Sequence, residues 1–186
     1  MARRRPCDRL VSALLGIVAL LGLAGCSPDP HPYIALAMVD GRPTVLVAAC
    51  ARGELSYVTL AEREDTTSPA PSDVRHRPRE WSVGAPLSAP GPDGVRSPVA
   101  TAPARIALFE RPSDWLISRE TLREFRDGAE YRVYGGPANV ATLEFTVARL
   151  RELAPGTVLT GVGYRDQHVV SEPTFEKAAE KDCDRS

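Results

Sequence analysis

From residue 33 onward the apolar residues recur in short alternating runs separated by turn chemistry. Residues 33–39 set Ile34, Leu36 and Met38 on one side of an extended chain, and residues 44–49 return with Val45, Val47 and Ala49 in the same alternation. Asp40-Gly41 between them is a strong hairpin signal, because a two-residue turn of this kind demands positive φ at both positions. Gly53 breaks the chain before residues 54–61, which read as a third strand with Leu55 and Tyr57 alternating with Ser56 and Val58. That strand runs into Glu62-Arg63-Glu64-Asp65. The run reads as a solvated strand end rather than a metal site, since Arg63 interrupts it and no glycine-shaped calcium loop is present.

Residues 66–103 hold eight prolines among many Ser, Ala and Gly. Such a stretch disfavours both sheet pairing and helix hydrogen bonding and predicts a long extended loop. Its one signal of order is Trp81-Ser82-Val83, which predicts a short strand with the tryptophan packed on the core. Residues 105–110 predict a strand with Ile106 and Leu108 on one face, while residues 113–124 fit a turn of helix or an irregular strand equally. Strands are expected again over residues 131–134, 139–145, with Leu143 and Phe145 on one face, and 157–162. Thr146 is placed to cap a short helix carrying Val147, Leu150 and Leu153, stopped by Pro155-Gly156. Residues 173–182 read as a second helix with Phe175 and Ala179 on one side. Seven or so strands with two small helices predict one all-β sandwich domain over residues 33–186.

The run Phe125-Arg126-Asp127-Gly128-Ala129-Glu130-Tyr131-Arg132-Val133-Tyr134 resembles the tyrosine corner of fibronectin type III and related immunoglobulin-like sandwiches. It lacks the proline that usually precedes the glycine. The resemblance implies that Tyr131 bonds back across the turn and that Phe125 packs beneath it.

The N-terminus carries Arg3, Arg4, Arg5 and Arg9 before an apolar run over residues 10–23, interrupted by Ser12 and two glycines. A charged segment followed by 7–15 apolar residues is the layout of a secretory signal. A transmembrane helix needs roughly 18 or more. Leu23-Ala24-Gly25-Cys26 then resembles the lipobox of bacterial lipoproteins in all four positions. That resemblance implies cleavage after residue 25, a diacylglyceryl group on the Cys26 thiol and acylation, of the palmitate kind, at the new N-terminus. Residues 26–32, with three prolines, would be a lipidated tether. The arginine-rich composition and the mature sequence as a whole resemble a loose group of uncharacterised secreted actinobacterial lipoproteins. The likeness lies in the first hairpin through Cys50, the D-G-x-E-Y-x-V run and the cysteine-terminated tail, and it implies no activity.

Of four cysteines, Cys7 leaves with the leader and Cys26 is taken by lipid, which leaves Cys50 and Cys183. A pair in an exported protein reads as a disulfide. A metal or redox role is weaker, with no CxxC and no histidine at ligand spacing. The formal charge of -1 includes the basic leader; removing its four Arg and one Asp leaves 19 basic against 23 acidic residues. Nucleic acid is not an expected partner, because it requires a concentrated basic face.

Candidate chemistry is sparse. No nucleophile elbow, zinc-protease motif or phosphate loop is present, and no cofactor is expected. Asp166 and His168 are the one pair that could act as a base with its orienter, without a marked nucleophile. The expected role is a non-catalytic binding domain, lipid-anchored on the outer face of the cytoplasmic membrane, with an envelope protein or cell-wall partner. An envelope enzyme or a small solute-binding lipoprotein are the alternatives.

Overall fold

The computed structural model describes His31 and residues 33–63, 78–137, 141–161 and 166–184. The leader, Cys26, and Glu64-Asp65 of the charged run lie outside the described residues.

Two five-stranded antiparallel sheets make the body. The first runs in the order β10-β9-β1-β2-β5, from strands β1 (Ile34–Val39), β2 (Arg42–Val47), β5 (Arg105–Ala107), β9 (Thr157–Thr160) and β10 (His168–Ser171). The second runs β6-β4-β3-β7-β8, from β3 (Leu55–Glu62), β4 (Glu80–Gly84), β6 (Leu116–Glu120), β7 (Tyr131–Pro137) and β8 (Leu143–Phe145). A single apolar core joins them.

The first hairpin forms where the pattern places it. Val39 pairs Arg42 across Asp40-Gly41, whose φ values of 49° and 75° are those of a primed two-residue turn. Both alternate sets of β1 and β2 are buried, Ala35 and Leu46 as fully as Ile34 and Val45. A sheet buried on both sides needs a further layer, and two helices supply it. Helix α1 (Val147–Arg151) sits on β1 and buries Leu150; Thr146 caps it by accepting the Arg149 N–H at 3.2 Å. Helix α2 (Glu172–Cys183) is capped by Ser171 and buries Phe175 and Ala179. Arg105, in the same cross-strand row as Leu46 and Ala35, pairs Glu172 at the start of α2 at 2.9 Å. That row therefore faces the helical layer, and the Leu36–Val45–Ile106 row faces the second sheet.

One reading of the sequence changes. Glu62 is not a solvated strand end: it is 5% exposed, with its carboxylate held by Arg79 at 3.3 Å and by Arg126. Its neighbour Arg63 does face solvent and pairs Glu130 and Glu144. The short strand expected at Trp81-Ser82-Val83 forms as β4, central in its sheet between β3 and β6, with Trp81 wholly buried as expected. Within residues 113–124, left open between helix and strand, Leu116–Glu120 form strand β6, exposed along its length on the sheet edge. Strand β10 forms where the sequence marks no element: His168-Val169-Val170-Ser171 pairs β9 alone among the described strands and shows little apolar alternation.

Tyr131 opens β7 and its hydroxyl accepts the Arg126 N–H at 2.6 Å, the bond expected of the corner. Phe125 meets the Tyr131 ring edge-on at 4.9 Å.

Candidate functional site

The strand directions give the sandwich two ends. His31, Val47, Leu55, Gly84 and Pro137 lie at one, here the proximal end; the Asp40-Gly41 hairpin and the start of β7 lie at the other, the distal end. The proximal end is cross-linked. Cys50, in the 3-10 turn Ala49–Ala51 after β2, is disulfide-bonded to Cys183 at the end of α2, with the Cα atoms 6.4 Å apart. One residue earlier, Asp182 pairs the His31 ring at 2.6 Å, and that ring stacks on Tyr33 at 4.7 Å. Disulfide, ion pair and ring stack together fix the start of the described chain to the last helix.

The outer face of the second sheet is open around Tyr57 and Leu116. Cross-strand rows place Gly136, Tyr57, Gly84 and Leu116 side by side, with Tyr134, Thr59, Ser82 and Arg119 in the next row. Side chains directly opposite share a face, so Tyr57 and Tyr134 are diagonal neighbours. Gly136 makes room for the tyrosine: a Cβ there would stand 2.5 Å from the Tyr57 hydroxyl. Tyr57 and Leu116 remain 38% and 53% exposed. Beneath them Thr59 and Ser82 satisfy each other at 2.8 Å, which lets two hydroxyls be buried on an outer face without loss. Arg119 pairs Glu80 at 2.8 Å, and the Arg132 guanidinium lies 5.9 Å from the Tyr134 ring centre. Burial, and then the nearby Glu80 carboxylate, raise the Tyr134 pKa above its ordinary 10.0. Its hydroxyl is a neutral donor throughout the physiological range. The face therefore offers two aromatic rings, a hydroxyl donor and paired planar charges, which suits adhesion and supplies no nucleophile–base pair.

A second concavity, a cleft of about 550 Å³, opens at the distal end of the first sheet. Arg42, Arg105, Glu110 and Arg111 stand on its walls. Arg42 is neutralised by Glu110 and Arg105 by Glu172.

Asp166 and His168 do not assemble as a catalytic pair. The His168 Nδ1 lies 2.8 Å from the Asp166 backbone carbonyl, both residues are exposed, and the aspartate carboxylate takes no part. Among the described residues no three His, Cys, Asp or Glu converge to hold a metal ion, and no helix is long and apolar enough to cross a membrane. The sequence reading did not single out Tyr57, Tyr134 or Arg119. Tyr57 carried a signal as the one aromatic among strand β3's outward positions, but nothing short of the register shows that Tyr134 joins it. Comparison with protein families, with curated proteins and with solved structures finds no match to this chain.

Proposed function

We propose that this chain is an extracytoplasmic lipoprotein whose mature domain binds an envelope partner without catalysis. Residues 1–25 act as the export signal, Cys26 carries the lipid, and residues 26–32 tether a fibronectin type III-like sandwich. Two features support the sandwich type. The order β1-β2-β5 opposite β4-β3-β7-β8 follows the A-B-E and C′-C-F-G arrangement of such domains, with β6, β9 and β10 added at the edges. The tyrosine corner then falls at the start of the strand that corresponds to F.

The observation that carries the functional reading is the Cys50–Cys183 disulfide. Such a bond belongs to compartments where thiols oxidise, and it locks the end of the domain into which the tether leads. The outer face around Tyr57 and Tyr134 is then free to meet a partner. Fold alone does not name that partner.

Crosslinking on intact cells, followed by mass identification, tests the reading. The expected result is a discrete envelope partner that is trapped by the native protein and lost with Cys26→Ser, and weakened with Tyr57→Ala. A trapped set identical for the native protein and for both variants would contradict it.

A further inference from the structure

Residues 85–101 form a paired loop, here the finger, at the proximal end, with exposed residues beyond its base. Its base is fastened to the domain by the Ala85 N–H donating to the Ser56 carbonyl at 2.8 Å and the Ala102 N–H to the Arg52 carbonyl at 2.9 Å. Above the base the two limbs pair with each other. Leu87 bridges Pro98, the Ser88 N–H donates to Ser97 and the Val99 N–H to Pro86, each at 2.9 Å. At the tip the Gly91 N–H donates to the Val95 carbonyl and Asp93 accepts the Val95 N–H at 3.1 Å. The finger thus satisfies much of its own backbone, which a segment entering a poorly hydrated layer must do.

Its side chains are unusual for a solvated loop. Leu87, Val95 and Val99 are 53%, 58% and 61% exposed, three of the seven large apolar side chains that the described residues leave open. Single exposed apolar residues need no explanation, but three within thirteen residues of one projection do. Asp93 and Arg96 cancel in charge, so an anionic lipid surface does not repel the finger as a whole.

Position supplies the occupant. The Tyr33 carbonyl accepts the Ala48 N–H, and the Ala104 carbonyl accepts the N–H of the adjacent Val47, so the start of the described chain and the base of the finger flank one point. Four residues lie between Cys26 and His31, five Cα steps with a reach of about 18 Å at full extension. Given the lipid on Cys26, on which this step rests, His31 at the proximal end is held within that distance of the anchor, and the base of the finger lies at the same end of the domain. We infer that the finger docks Leu87, Val95 and Val99 into the interfacial layer of the membrane that holds the anchor. An acyl anchor alone leaves the domain free to tumble about its tether. With the second contact the strands stand off the membrane, and the Tyr57–Tyr134 face is turned to the side.

The test uses the full lipidated chain carrying Val95→Trp in phosphatidylglycerol vesicles. Native Trp81 and Trp115 are 0% and 1% exposed and report the fold rather than the surface. The expected result is a new blue-shifted emission, quenched by brominated acyl chains, with quenching cut at least fivefold when Leu87→Asp and Val99→Asp are added. Unchanged emission from the two buried tryptophans shows that those variants remain folded. A lipid-modified Cys26 with an unquenched reporter overturns the docking while the anchor stands. An unmodified Cys26 in the mass spectrum overturns the anchor, and the docking with it.

Discussion

The Arg126 N–H donates to the Tyr131 hydroxyl at 2.6 Å, so the turn leading into β7 is closed by a side chain that is itself wholly buried. Tyr131→Phe keeps the ring and its edge contacts with Phe125 while leaving the Arg126 N–H without its acceptor. The expected loss is about 1–2 kcal/mol. Urea unfolding measures it, and an unchanged m-value would show that the loss belongs to the folded state.

The disulfide spans a separation of 133 residues. In the chain-entropy account a loop of that size contributes about 4–5 kcal/mol by restricting the unfolded chain. Cys50→Ser is expected to lower stability by that order, and reducing agent to do the same to the native protein with no further effect on the variant.

Phe109 has a φ of 68°, a left-handed conformation that side chains with a Cβ adopt at a cost of roughly 1–2 kcal/mol. Packing offsets it: the ring lies edge-on to Phe125 at 4.7 Å and to Trp81 at 6.0 Å. Phe109→Ala is expected to cost about 2–4 kcal/mol by removing the ring. Phe109→Gly loses the same ring but gains the backbone freedom, so it should be the more stable of the two by about 1 kcal/mol. Thermal unfolding of the pair decides this; an alanine variant equal to or better than the glycine variant would refute the strain argument.

Tyr134 gives the fold an alkaline limit. Its pKa is raised above 10.0 by burial and by Glu80, so above that pH the unfolded state releases this proton more readily than the folded one. The contribution is fully present below pH 10 and is lost as pH climbs through the folded value. Stability measured between pH 9 and 11.5 should fall, and Tyr134→Phe should flatten part of that fall.

The strands with alternating faces were legible in the sequence because one side of each had to be apolar. The Asp40-Gly41 hairpin, the Thr146 cap and the buried pair Phe175 and Ala179 all follow from local chemistry. Glu62 was misread because its partners Arg79 and Arg126 are brought to it by tertiary folding, and a lone glutamate at a strand end looks solvated. Strand β10 escaped because an edge strand lying over a helix needs no clean alternation. The Tyr57–Tyr134 face was invisible for a related reason. Its residues come from four strands, and only the register sets their two rows side by side on one face.

Lipid at Cys26 is the claim on which the functional account turns. Its most direct test is intact-mass and N-terminal peptide analysis of the protein recovered from the membrane fraction of its host. The account predicts a mature chain beginning at Cys26, heavier by a diacylglyceryl group on the thiol and lost to the soluble fraction with Cys26→Ser. A mature chain beginning elsewhere, or an unmodified Cys26 thiol, would contradict it.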